Sequence, residues 1–498
     1  MRTHSQPSVR VAWSVTLKKT TRLLLGGIVA CVLGVAPASL RPVQAVQAAK
    51  PKAAANLIRI PYEQYRLSNG LTVVLSEDHT TPTVAVALIY HVGSKNEKFG
   101  RTGFAHLFEH VMFTGSGHVP YGMHDRLTEG VGGGNNGATS NDITFYYETV
   151  PASYLETALW LESDRMGWLL DALDLTKLNA QRDVVKNERR QRVDNQPYGR
   201  VDEIIAAALY PEAHPYSWPV IGSMADLSAA SEEDVKEFFR LYYAPNNAVL
   251  VIAGDFRQDQ AKQWVHRYFG EIPKGKPIQR PKVAPATLSS EKRLVFEDRV
   301  QVPRLYVTWP TVGSRNDDQY ALDVLGSVLA GSRTARLTNL LVYEKQTATA
   351  LSASQGTSED VGQFEIILTP RPGHTLEELE RATDEVIARL KREGPTDQEV
   401  RKAKAGAELS FLSGLEANLG KAMTLGTGYT FTGNAGHFQT EYRKAQAVTP
   451  ADVKRVATRY LTHGRIVLSV VPVGKKDQAS KAAASTPVGI PASKGTGK

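Results

Sequence analysis

From Ile58 onward the apolar positions of the chain fall into two patterns, short β-branched and aromatic runs and longer stretches with apolar residues three and four apart. The first two short runs, Tyr65-Arg66-Leu67-Ser68 and Leu71-Thr72-Val73-Val74-Leu75, flank Asn69-Gly70 and predict a β-hairpin. Thr83 to His91 alternates as a half-buried strand does. The run from Gly103 to Met112 has no proline and no internal glycine, and so predicts a helix. After the glycine-rich segment Glu129 to Gly137, Ala138 to Glu148 reads as a strand, which we expect at a sheet edge open to an extended peptide. Tyr154 to Leu170 and Thr176 to about Val193 read as helices. On the second of these, Gln181, Val184 or Val185, and Glu188 share the inward face, and a buried carboxylate needs a partner. The surrounding Lys186, Arg189, Arg190 and Arg192 read as solvated surface.

The second half repeats the first. Val92-Gly93-Ser94-Lys95-Asn96-Glu97 has a counterpart in Val312-Gly313-Ser314-Arg315-Asn316-Asp317, each after a predicted strand. Asp234-Val235-Lys236 with Tyr242 returns as Asp452-Val453-Lys454 with Tyr460, at nearly the same offset along the chain. Each of these leads into a strand, Val249 to Ala253 and Ile466 to Val471. The expected fold is α+β: two tandem homologous domains, each a β-sheet with helices packed on it, forming a clam-like pair. Their expected bounds are 58–272 and 291–474, joined by a Pro- and Lys-rich linker over 273–290 and followed by a disordered tail over 475–498.

Charge alters the picture at one end only. The 498-residue chain carries +8, but residues 1–48 hold six basic and no acidic residues, leaving +2 for the rest. A nearly balanced body has no electrostatic footprint for nucleic acid. Residues 1–48 read as a signal peptide, with Lys18, Lys19 and Arg22 ahead of the apolar run Leu23 to Leu33 and with cleavage sites ending at Ala45 or Ala48. The bacterial periplasm is the expected location. Retention of the run as an anchor, or lipidation at Cys31, are the alternatives, and no membrane span is expected after cleavage. Cys31 is the only cysteine, so once the leader is cut no disulfide or catalytic thiol remains.

The candidate chemistry lies on the first predicted helix. His106, Glu109 and His110 fall three and four residues apart, which puts them on one face. Two imidazoles can bind a metal ion while the carboxylate takes a proton from water, and H-x-x-E-H is the inverted zinc-peptidase spacing. Spacing alone leaves the third ligand open among His118, His124, Asp125, Glu129 and the more distant Glu188. The glycine-rich segment leads into a strand and no Lys-Ser/Thr closes it, which argues against a phosphate loop. In the repeat, Leu322 to Ala330 has neither His nor Glu, so one metal per chain is expected.

His106-x-x-Glu109-His110 running into Val111-Met112-Phe113-Thr114-Gly115, the downstream Asn187-Glu188 and the duplicated domain resemble the pitrilysin/insulinase family of zinc metallopeptidases. The branch resembled is the two-domain one that contains the mitochondrial processing peptidase and its bacterial relatives. The resemblance implies Zn2+ held by His106, His110 and Glu188, the last matching the family's distant third ligand by its separation from His110. It implies Glu109 as the catalytic base and an edge strand at Asn136, Gly137, Ala138, Thr139 and Ser140 that holds extended peptide substrates. Gln181 stands where many relatives carry a supporting glutamate, and Tyr343 and Ala350 stand where relatives carry an Arg and a Tyr that grip the substrate. Those departures imply a homologous partner subunit in a heterodimer, the alternative being a homodimer or monomer using residues such as Arg336 or Tyr306. The implied activity is that of an exported zinc endopeptidase. The rival reading is a non-catalytic scaffolding or assembly subunit of the same fold.

Overall fold

The computed structural model describes residues 58–489; the expected leader, with its cleavage sites and Cys31, lies outside them. Two six-stranded sheets follow one another along the chain. The first contains β1 (Glu63–Arg66), β2 (Thr72–Glu77), β3 (Thr83–Tyr90), β4 (Gly134–Thr139), β5 (Thr144–Pro151) and β6 (Ala248–Gly254), in the order β1-β2-β6-β3-β5-β4. The second contains β7 (Lys292–Asp298), β8 (Arg304–Val312), β9 (Ala348–Thr357), β10 (Val361–Pro370), β11 (Ile466–Pro472) and β12 (Thr486–Pro487), in the order β12-β7-β11-β8-β10-β9. The topology repeats: β2 runs parallel to β6 as β7 does to β11, and the remaining neighbours of β3 and β8 are antiparallel. Asn69 and Gly70 turn β1 into β2 as the hairpin pattern predicts.

Alternation along the strands sorts two apolar faces. In the first sheet Val73, Leu75, Val84, Val86, Leu88 and Ile252 face the helices of their own half. The opposite residues, Val74, Ala85, Ala87, Ile89, Val251 and Ala253, are equally buried, under the helix Asn418–Thr432 from the second half. The exchange is reciprocal. Val201, Ile204, Ile205 and Leu209, on the helix Val201–Leu209, cover Phe296, Tyr306, Ile466 and Leu468 of the second sheet. A sheet buried on both faces explains why β6 is an unbroken apolar run, Ala-Val-Leu-Val-Ile-Ala-Gly.

The repeated turns meet between the halves. Lys95 Nζ, buried, lies 3.0 Å from Asp142, 2.5 Å from Glu359 and 2.9 Å from Asp360. Its counterpart Arg315 also pairs with Glu359, and His91 Nε2 lies 2.8 Å from the same carboxylate. Residues 273–290 contain no helix or strand. The tail departs from expectation. Residues 475–489 form two short helical turns and β12, which pairs with β7, and Ser480 is fully buried where its hydroxyl reaches Glu380. Composition signalled disorder there, but an open edge of the second sheet supplied backbone partners. Residues 490–498 lie outside the described part.

Candidate metal centre

The turn after β3 delivers the chain to the helix Phe104–Val111, the motif helix. Its apolar side, Phe104, Leu107, Phe108 and Val111, is buried, with Phe104 and Phe108 against Phe238 and Phe108 also against Phe239 and Tyr243. That anchoring leaves His106, Glu109 and His110 on the other side. Their rings and carboxylate bring one ligand-type atom each within 4.8 Å of the others, and the two imidazoles stand edge to face at 4.9 Å between centroids.

A second helix, Leu175–Arg189, brings up Glu188. Its Oε2 lies 3.1 Å from His110 Nε2 and 3.7 Å from His106 Nε2. Val185 is the inward member of the pair left open by periodicity, while Val184 is exposed. Arg192, expected to be solvated surface, places Nη1 2.6 Å from Glu188 Oε1 one turn on; the four-residue spacing was the available signal. Gln181 sits half-buried two turns earlier on the same helix.

Electrostatics favours a neutral His106 and a charged Glu188. Burial, reinforced by the neighbouring His110, pushes His106 down to about 4. Contact with His110 holds the Glu188 carboxyl below its usual range. His106 Nδ1 and Glu188 Oε2 are buried atoms without a hydrogen-bond partner among the described residues. Two imidazole Nε2 atoms and one carboxylate oxygen brought to one point fit a divalent cation of the zinc type. Glu109 is set apart by its own contact: Thr139 Oγ1 donates to its Oε2 at 2.7 Å. Burial raises its carboxyl, against the opposing hydrogen bond.

Thr139 ends β4, which among the described residues pairs only with β5 and so leaves its other edge open. Asn136, Gly137 and Ala138 lie along that edge, opposite Tyr147, Tyr146 and Phe145. Gly137 allows the close approach, since a Cβ there would come 3.2 Å from Glu109 Cγ and 3.1 Å from Tyr146. Ser140 falls off the edge: its N–H donates to Ile143 and its carbonyl accepts from Ser94 at 3.1 Å, so the turn engages its backbone. Of the local rivals for the third ligand, Glu129 is exposed at the end of its helix, and the other three are engaged elsewhere. His118 binds Asp164, His124 lies against Glu148 in a buried group with Glu162 and Arg165, and Asp125 accepts from Asn135.

Residues of the second half also differ from what the motif alone suggested. Arg336 is held by both oxygens of Glu399 at 2.7 and 2.8 Å, and Tyr306 is buried beside Arg304. Tyr343 lies half exposed on a π-helical segment, Thr338–Glu344, and Ala350 on the outer strand β9.

Residues 72–218 match the family profile described as Insulinase (Peptidase family M16), and residues 229–407 match that of the Peptidase M16 inactive domain. The chain is 30% identical over 361 residues to the zinc protease PqqE of Helicobacter pylori, spanning 72% of this chain and 81% of that one. It is 25% identical over 430 residues to the mitochondrial-processing peptidase subunit beta of Blastocladiella emersonii, covering 84% and 90% of the two chains. Among solved structures, a protease from Helicobacter pylori superposes with a TM-score of 0.77 at 27% identity, over 83% of this chain and all of that one. Motif, fold and both profile matches agree, and the chain belongs to the insulinase family of peptidases, M16, with its metal-site motif in the first of two homologous halves.

Proposed function

We propose that the protein is a zinc-dependent endopeptidase acting on extended or unfolded peptides. The observation that carries this reading is the convergence of His106 and His110 Nε2 on one oxygen of Glu188, with Glu109 held beside the open edge of β4. In this reading His106, His110 and Glu188 hold one Zn2+ per chain, which supplies a Lewis acid beside the scissile carbonyl. Glu109 takes the proton of the attacking water and returns it to the leaving amine, and its raised carboxyl suits both steps. Asn136 to Thr139 bind the peptide backbone as an added strand. Such pairing is nearly blind to side chains and selects for extended segments.

The leader composition supports export to the periplasm. Tyr343 and Ala350 offer no Arg and Tyr pair, and Glu399 holds Arg336, so a homologous partner chain is proposed to complete the substrate grip. A relative named as a subunit agrees with that. The test measures zinc content and cleavage of an unstructured peptide mixture, for the chain alone and with a sister chain. Glu109→Gln is expected to keep stoichiometric zinc and lose roughly 10²–10⁴ in rate. A chain that binds no zinc and cleaves nothing leaves the scaffolding alternative standing, whereas one whose cleavage survives both chelator and Glu109→Gln is a peptidase that does not work through this site.

A further inference from the structure

The motif helix has only eight residues and a weak start. Its flanking residue, Gly103, adopts φ 89°, which favours glycine, and has no side chain to accept the free N–H groups of the first turn. Glu97, in the turn after β3, does so from a distance. Its Oε2 accepts from Gly103 N at 2.9 Å and its Oε1 from Ala105 N at 2.8 Å. The side chain is 7% exposed, in a position where a carboxylate persists only if well bonded. Asp226 holds the residue before, accepting from the Thr102 backbone at 3.0 Å and its hydroxyl at 2.6 Å.

Resting on the zinc reading above, we propose that Glu97 is a positioning residue for the metal centre, fixing the start and rotation of the motif helix. His106 follows directly on Ala105, whose N–H Glu97 holds, so a small rotation of the first turn moves the imidazole relative to Glu188. Burial pushes the Glu97 carboxyl up against these backbone hydrogen bonds, so its hold on the helix rests on the two N–H groups that its oxygens accept. The repeat supplies an internal comparison. Asp317, the counterpart of Glu97, flanks the helix Asp318–Ala330 without capping it and lies at the surface 2.7 Å from Lys444. The buried, capping form of the acid occurs in the half that carries the imidazoles.

Glu97→Gln, Glu97→Asp and Asp317→Asn in the full chain test this, with zinc affinity from chelator competition, melting temperature, and kcat and KM on one peptide. Glu97→Gln is expected to bind zinc roughly tenfold more weakly, with kcat reduced and KM little changed. Glu97→Asp keeps a carboxyl group with two accepting oxygens and recovers part of that affinity; Asp317→Asn behaves as the parent. A Glu97→Gln chain that matches the parent in zinc affinity and kcat, or loses only melting temperature, overturns the assignment. If Glu97→Gln does not fold, Glu97→Asp decides, and parent-like zinc affinity there overturns it. A parent that binds no zinc refutes the zinc reading itself, whereas a zinc-bound parent indifferent to Glu97 refutes only this inference.

Discussion

Glu188 works at the scale of single atoms: one oxygen faces two imidazoles and the other faces the exposed guanidinium of Arg192. Replacing it by Gln keeps the shape and removes the charge. Glu188→Gln is expected to release zinc more readily by more than the roughly 10–100-fold that follows loss of an outer-shell partner, measured by competition with a chromophoric chelator. Gly137 is the other residue where tenths of an ångström matter. Gly137→Ala places a methyl group 3.2 Å from Glu109 Cγ and 3.1 Å from Tyr146. The base or the strand must yield, so kcat/KM should fall by about tenfold or more with zinc content unchanged. That contact was not legible in the sequence, because no local pattern ties a glycine at 137 to a carboxylate at 109.

Most elements in this fold are read from local pattern, while their partners are not. The single strand expected from Ala138 to Glu148 is instead the end of β4, a turn over 140–143 and most of β5, because Ser140 and Ile143 pair their backbones across a hairpin. The motif helix, β3 and the helix bearing Glu188 fall where apolar spacing puts them. The capping boxes Ser231/Asp234 and Thr449/Asp452 also appear at the same offset in both halves. The helix Asn418–Thr432, however, belongs by sequence to the second half and packs on the first sheet. Gly426 marks the contact: a Cβ there would lie 2.4 Å from Ile89 Cδ1 and 3.0 Å from Val251. Gly426→Leu is expected to lower stability by about 1–3 kcal/mol, read from urea denaturation midpoints, because the sheet beneath it is already filled.

At the scale of the whole molecule, the two halves are tied by the buried group around Lys95. Asp142, Glu359 and Asp360 face it, with His91, Arg315 and the Tyr216 hydroxyl around them. Contacts with His91 and Lys95 hold the Glu359 carboxyl well below its usual range in spite of burial. Burial likewise holds His91 below its usual value. A carboxyl with a depressed folded pKa contributes stability above its unfolded pKa and loses it as pH falls, and a depressed histidine acts in the same direction. Melting temperature should therefore fall on acidification from pH 7, most steeply below about 4.5. Glu359→Gln should lower stability at pH 7 by on the order of 3 kcal/mol and flatten that acid dependence, since Lys95 and Arg315 are then left short of charge.

Sequence alone determined the element types, the duplication and the chemistry of the motif, because helical and strand periods and an imidazole–carboxylate spacing are local properties. Tertiary structure alone decided which carboxylate faces the imidazoles, that Thr139 holds Glu109, that Glu97 starts the motif helix and that each sheet is covered by a helix of the other half. Each of these depends on distances between segments far apart in the chain. Such distances are fixed only when both faces of each sheet are packed.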